Sequence, residues 1–327
     1  MQSSKGEKWF IGIDGGGSKT RAAICNEAGQ VGAIVVGESS NPLSRSWGDV
    51  EATLRQLMDA VRIKAGAKEE EVAGLFIGLG GADRPQIKER IQHAFADEWG
   101  ERLLIDNDVI AALYAGTWGQ PGVVLLAGTG SIACAFSKEG ARHRVGGWGY
   151  LVGDEGSGFD LGKKAASAVL REYDGRGEST VLTQLFMDHY GVERPDELIS
   201  LIYGGSNPRM ELAKTSQLVE QAATLGDPVA NTLIMQAVED LLELADACLK
   251  KVQEPVPVVL AGGLLTFSTL LREQLIGRAS FQTIIPTVQP VVGALVAAFT
   301  KLGFVVDEKM AEQLRVSAEV LEEKSHN

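Results

Sequence analysis

A short glycine cluster, written twice, constrains this chain more than any other feature. Ile13-Asp14-Gly15-Gly16-Gly17-Ser18 follows the apolar run Phe10-Ile11-Gly12-Ile13 and precedes a second one, Ala22-Ala23-Ile24-Cys25. Apolar run, glycines, apolar run reads as strand, turn, strand. The same form returns at 126–131 as LAGTGS, between VVLL and IACAF, aligning Gly15 with Gly128, Gly17 with Gly130 and Ser18 with Ser131. Only the first copy carries an acid. A third glycine turn, VVLAGGLL at 258–265, follows a long amphipathic segment. The chain is expected to fold as two related α/β halves punctuated by these turns.

Glycine lacks a side chain and adopts backbone angles closed to other residues, so successive N–H groups can converge on an anion at close range. Phosphate is the expected guest. The first loop is not a P-loop, because Ser18 stands between Gly17 and Lys19. Nor is it a dinucleotide fingerprint, which needs a further glycine where Thr20 stands and a helix where a second strand follows. A glycine-rich hairpin serving only as a turn is the competing reading.

Composition narrows the class. With 327 residues, 45% hydrophobic and 23% charged, the chain is ordinary globular material and larger than one core usually supports. Two domains are expected, 1–118 and 119–327, joined near the Gly- and Pro-containing stretch 117–122. A net charge of −12 offers no broad cationic field for nucleic acid or an anionic membrane. The three cysteines, Cys25, Cys134 and Cys248, lack CxxC spacing, and His93, His143, His189 and His326 have no partner at ligand spacing. The N-terminal MQSSKGEKWF lacks an apolar h-region, and no apolar run is long enough to span a bilayer. A soluble, cytoplasmic protein is the expectation.

Along the chain, 46–64 sets Trp47, Val50, Leu54, Leu57, Met58 and Val61 at helical spacing. VAGLFIGLGG reads as a strand entering a glycine turn, LLID as a strand ending in acids, and VIAALYAG as a helix. The long helix before the third turn opens on Asp227-Pro228, an N-cap followed by proline in the first turn. Asp106 and Asp108 both stand between strand and helix, where each could be no more than a cap. Trp148, among glycines, could pack in a core or offer a surface for a ring, and Asp154-Glu155 could be a solvated turn.

IDGGGSKT, AGTGS, GGWGYLVGDEGSG and LAGGLL, in that order, resemble the N-acetylglucosamine kinase and BadF-type ATPase family of the actin, hexokinase and Hsp70-like ATPase superfamily. The likeness runs from Ile11 to about Leu265 and includes the late VVGALVAAF helix. It implies duplicated ribonuclease H-like domains with a nucleotide and sugar cleft between them, and MgATP as phosphoryl donor. In the family the first acid, here Asp14, helps hold magnesium through water, and the backbone from Gly15, Gly16 and Gly17 to Ser18 faces the phosphates; Lys19 and Thr20 close that segment. Gly128, Thr129 and Gly130 would form the second loop, with Gly262 and Gly263 bordering the adenosine. Asp108 matches the acid that takes the sugar hydroxyl's proton. Asn41, Ser131, Ile132, Gly147, Trp148, Gly149 and Asp154 match sugar-binding positions.

The resemblance implies an ATP-dependent kinase of N-acetylglucosamine or a close relative, N-acetylmuramic acid or glucosamine, with a possible homodimer. An activator ATPase of an acyl-CoA dehydratase or reductase is the alternative on the same superfamily branch. Those relatives carry a cysteine-ligated iron–sulfur cluster, and cysteines inside strands and on an apolar helix face do not provide its ligands. A non-catalytic sugar sensor is weaker still, because no basic helix precedes Trp9.

Overall fold

The computed structural model describes residues 7–17 and 19–326, with side chains to Glu323; Ser18, expected in the first phosphate loop, and the His326 side chain lie outside the described residues. The chain forms two compact units, Met1–Gln120 with Pro286–Asn327, and Pro121–Ile285. In the first, β1 (Trp9–Gly15), β2 (Lys19–Asn26), β3 (Val31–Glu38), β4 (Val72–Leu79) and β5 (Leu103–Asp106) make one sheet in the order β3-β2-β1-β4-β5. The first three strands are an antiparallel meander, and β4 and β5 join parallel to β1.

The second unit repeats that plan with β6 (Gly122–Ala127), β7 (Ser131–Phe136), β8 (Arg142–Gly146), β9 (Val258–Ala261) and β10 (Thr283–Ile284), in the order β10-β9-β6-β7-β8. Again three antiparallel strands are followed by two parallel ones. The duplicated glycine motif is therefore the sequence trace of a duplicated sheet, each copy forming the hairpin at one end of its central strand.

Each unit has its own core. In the first, Ile11, Ile24, Leu75 and Ile77 of the sheet pack with Leu54, Leu57 and Phe95 of the helices. The helix Trp47–Ala65 starts where the Ser46 hydroxyl accepts from the Asp49 N–H, ends at left-handed Gly66, and buries Val50, Leu54, Leu57, Met58 and Val61. In the second unit, the helix Pro228–Val252 opens where Asp227 accepts from the Ala230 N–H, and lays Leu233, Ala237, Leu241, Ala245 and Cys248 into the core. Each buried Leu, Ile, Val, Met or Phe among these contributes roughly 1.5–3 kcal/mol by leaving water.

The C-terminal boundary differs from the sequence expectation. The second unit ends at Ile285, and the last segment belongs to the first unit. The helix Pro290–Lys301 is buried from Val291 through Phe299, so it needs apolar partners on every side. It finds them on β1 and on the helix Val109–Thr117. A Cβ at Gly12 would stand 2.5 Å from the Leu295 nitrogen, and one at Gly293 would stand 1.9 Å from the Ala111 carbonyl oxygen. Phe299 stacks at 4.3 Å on Phe10. An all-round apolar pattern says that a helix is buried and nothing about which sheet buries it.

Gly293→Ala should therefore push the two helices apart and lower stability by about 1–3 kcal/mol. Urea unfolding checks this; an unchanged midpoint would mean that the contact yields at no cost.

Candidate active site

In open α/β sheets, ligands bind beyond the carboxyl ends of the parallel strands. In the first unit that end carries Asp14 of β1, in register with Gly78 of β4, which is in turn in register with Asp106 of β5. The hairpin beyond Asp14 is closed by a hydrogen bond from the Gly16 N–H to the Lys19 carbonyl, 3.1 Å. Its outer wall is the segment 39–41. Ser39 donates to the Gly16 carbonyl at 3.0 Å, and Thr20 donates to Ser40 at 2.8 Å. Asn41 uses its Oδ1 to accept from the Leu43 N–H at 2.9 Å, which leaves its amide nitrogen on the glycine side, 3.8 Å from where a Cβ at Gly17 would be and 3.9 Å from one at Gly80. Asp108 Oδ2 lies 3.6 Å from that same point at Gly80. Asp14, Asn41 and Asp108 thus gather around the bare backbone of two glycine turns, and the Gly80 N–H bonds the Gly15 carbonyl at 3.2 Å.

The two acids at the end of β5 part company. Asp106 is buried, accepts from the Asn107 N–H at 2.8 Å and pairs with Lys301. It ties the helix Pro290–Lys301 to the sheet. Asp108 stands at the N-cap of the helix Val109–Thr117 without capping it, since the Val109 N–H goes to Asn107 Oδ1 at 3.1 Å. Asn107, not Asp108, makes the side-chain bond at the start of this helix. Burial, with a smaller push from Asp83, raises the Asp108 carboxyl to about 6, opposed by the N–H groups of Asp108 and Val109. Burial and the nearby Asp108 charge raise Asp14 to about 7, with Arg21 pulling the other way.

In the second unit the loop after β6 is closed from the Gly128 N–H to the Gly130 carbonyl, 2.9 Å, and the Gly158 N–H bonds the Gly128 carbonyl at 2.8 Å. After β9, Gly262 takes φ 94°, and a Cβ there would stand 2.4 Å from the Ala127 carbonyl oxygen, so only glycine brings the two turns this close. Gly128, Thr129 and Gly263 border one cavity of about 670 Å³, which Met210, Gln217 and Phe267 also line. Phe267 is largely exposed at its edge.

Beside this cavity, the 146–158 segment folds back on β7. The Ser131 hydroxyl donates to the Glu155 carbonyl at 2.6 Å, and Ile132 would meet a Cβ at Gly147 at 2.8 Å. Trp148 is 68% exposed, which excludes a core role; Arg144 lies over its ring at 5.1 Å and also donates to the Gly147 carbonyl. A Cβ at Gly149 would meet nothing. Asp154 is no solvated turn: it is 3% exposed and pairs with Arg209 at 2.8 Å.

Two expected contacts are redirected. Thr20 is fully buried with its hydroxyl on Ser40, so it fixes the loop's exit instead of facing a nucleotide. The Ser131 hydroxyl is likewise spent inside the protein. Ser39, Met210 and Arg209 were missed by sequence reading, because no motif spacing marks them. All three cysteines are buried, and among the described residues no group of three or more His, Cys, Asp or Glu side chains could hold a metal ion. Burial pushes the Cys25 and Cys248 thiols up, the latter to about 11.

With this geometry in hand, residues 11–298 match the BadF/BadG/BcrA/BcrD ATPase family. An N-acetylmuramic acid/N-acetylglucosamine kinase of Clostridium acetobutylicum is 34% identical over 262 residues, 79% of this chain and 86% of that protein. An N-acetyl-D-glucosamine kinase of Dictyostelium discoideum is 34% identical over 269 residues, 78% and 84% of the two chains. The crystal structure of a proposed N-acetylglucosamine kinase from Chromobacterium violaceum superimposes with a TM-score of 0.73 at 32% identity, covering 89% of this chain and 99% of that one.

A carboxyl raised from 3.8 to about 7 binds more protons folded than unfolded, so its contribution to stability falls as pH rises from about 4 to about 7. Asp14→Asn, which mimics the protonated form, should therefore stabilise the protein at pH 8 by on the order of 1–2 kcal/mol and have little effect near pH 4. Thermal unfolding at both pH values measures it; a variant less stable at pH 8 would contradict the raised carboxyl.

Proposed function

The chain belongs to the BadF/BadG/BcrA/BcrD ATPase family, and from its kinase relatives we propose that it transfers the γ-phosphoryl group of ATP to a hydroxyl of N-acetylglucosamine or a close relative such as N-acetylmuramic acid or glucosamine. One observation carries the chemistry: Asp108 is a carboxylate released from capping, raised to about 6, and set beside the Asn41 amide over bare glycine backbone. It is suited to hold a sugar hydroxyl and to accept its proton, with Asn41 as a second anchor.

As the hydroxyl oxygen bonds the γ-phosphorus and the bond to ADP breaks, the hydroxyl proton becomes acidic and passes to Asp108. A carboxyl near 6 is ionised at neutral pH and is a better acceptor than an ordinary aspartate. The N–H groups of Gly15 to Gly17 are suited to the β- and γ-phosphates, and those of Gly128 to Gly130 to the α- and β-phosphates, with the Thr129 hydroxyl a further donor. Gly262 and Gly263 would border the adenosine, in the cavity that Gly128, Thr129 and Gly263 share. Trp148, with Gly147, Gly149 and the backbone of Ser131 and Ile132, would receive the sugar's face, and Asp154 one of its donors.

Magnesium is the expected companion of ATP. Mg²⁺ keeps several waters and takes only one or two carboxylates with the phosphates, so a lone Asp14 beside a phosphate loop fits such an ion. A cation there would neutralise transferring phosphate charge and offset the Asp14–Asp108 repulsion. We further propose that the enzyme works in the cytoplasm on a small molecule, as a homodimer, without nucleic-acid or membrane partners. The net charge of −12 supports the exclusion of nucleic acid.

A coupled assay over a panel of amino sugars, with NMR assignment of the phosphomonoester, tests the activity and names the acceptor. No turnover on any amino sugar would overturn it. Asp108→Asn should lower kcat by roughly 10² to 10⁴ with sugar affinity changing much less. In the parent enzyme kcat/KM should fall as pH drops through about 6, as the base takes up its proton. Asp106→Asn should keep kcat but lose about 1–3 kcal/mol of stability, because the buried Asp106–Lys301 charge pair is lost. If Asp106→Asn is the silent enzyme and Asp108→Asn the active one, the roles are reversed.

A further inference from the structure

Arg209 belongs to no glycine motif and to no sequence-derived site, yet three features of the second unit converge on it. Its NH2 donates to Asp154 Oδ2 at 2.8 Å, and its guanidinium lies over the Tyr150 ring at 5.3 Å. A Cβ at Gly130 would stand 2.8 Å from the same NH2 and 2.9 Å from the Asp154 carboxylate oxygen, so the second loop leaves room for the pair. Asp154 itself holds φ 63°, a left-handed angle that costs a residue with a side chain of this kind on the order of 1 kcal/mol. It is 3% exposed, and Arg209 is its charge partner. A carboxylate held that way is kept there by something, and Arg209 is the group that neutralises it.

The arginine comes from a rigid source. It sits in the helix Pro208–Lys214, whose N-cap Asn207 accepts from the Met210 N–H. That helix is pressed onto the helix Gly158–Tyr173, where a Cβ at Gly162 would stand 1.8 Å from the Leu212 carbonyl oxygen. The next residue, Met210, receives the Thr129 hydroxyl on its sulfur at 3.7 Å. One short helix therefore touches the second glycine loop through Met210 and the acid of the 146–158 segment through Arg209.

We propose that Arg209 is a positioning residue for the sugar: it fixes the Asp154 carboxylate and the Tyr150 ring so that the oxygen capacity it leaves free meets a hydroxyl or amide N–H of the acceptor. A carboxylate offers about four lone-pair sites, and one guanidinium N–H occupies one of them. This rests on the reading of Asp154 as a sugar contact. Without Arg209, a buried carboxylate at a strained backbone angle has no counter-charge and turns toward water.

The test is calorimetric binding of N-acetylglucosamine without nucleotide, with KM for ATP and thermal unfolding measured alongside. Arg209→Met should weaken sugar binding by about tenfold or more, some 1.4 kcal/mol, with KM for ATP within about twofold. Arg209→Lys keeps the charge without the planar fork or the ring contact, and should recover part of the loss. In an Asp154→Asn background the Arg209→Met effect should largely vanish. If Asp154→Asn weakens sugar binding while Arg209→Met and Arg209→Lys leave it intact, the positioning role falls and the Asp154 reading survives. If Asp154→Asn binds sugar normally, that reading falls first. Losses equal for sugar and ATP, and equal in both backgrounds, would reduce Arg209 to a structural residue. Should Arg209→Met fail to fold, Arg209→Lys and its cycle with Asp154→Asn decide the matter alone.

Discussion

Two carboxylates held at partial burial within each other's field organise the first unit. Asp14 and Asp108 stand beyond the ends of parallel strands where water is restricted, and each is raised toward neutrality chiefly by burial. Such an arrangement opposes folding above the ordinary carboxylate range. The surrounding structure holds it in place through contacts that have no catalytic part: the ladder of β1 and β4, the Ser39 and Ser40 hydrogen bonds, and the helix Pro290–Lys301 pressed onto β1 at Gly12. Strain of this sort at a site, offset by packing elsewhere, is what a phosphoryl-transfer enzyme needs, since positioning and charge are most of its work.

The duplicated sheet shows how one frame serves two tasks. The turn after β4 and the turn after β9 occupy equivalent places, and both are paired glycines, Gly80-Gly81 and Gly262-Gly263. The first lies beside Asn41 and Asp108; the second borders the cavity shared with Gly128 and Thr129. Glycine in both turns reflects a common requirement, close approach to bare backbone. The neighbouring side chains decide what approaches.

Each unit also stations a cation against a buried aspartate near its glycine turn, Lys301 on Asp106 and Arg209 on Asp154. The Asp106 pair anchors a helix to the sheet and leaves the next acid, Asp108, free for chemistry. The Asp154 pair lies against the second loop itself. Buried pairs contribute little net stability but make the loss of either partner costly, so both fix geometry more than they add strength.

Much of this was legible in the residues. Period-2 and period-3.6 patterns, the Asp227 cap and the repeated glycine cluster determined the strands, the helices and the duplication, because those signals are local. The motif positions Asp14, Asn41, Gly128, Gly263 and Asp108 could also be named from sequence. Tertiary structure alone decided which sheet the helix Pro290–Lys301 covers, because an all-round apolar surface carries no direction. It alone showed what occupies Asp106, since its partner is a lysine 195 positions away, and it alone brought Arg209 to Asp154 across 55. Chain order records local conformation; it does not record which distant charge a buried carboxylate will require.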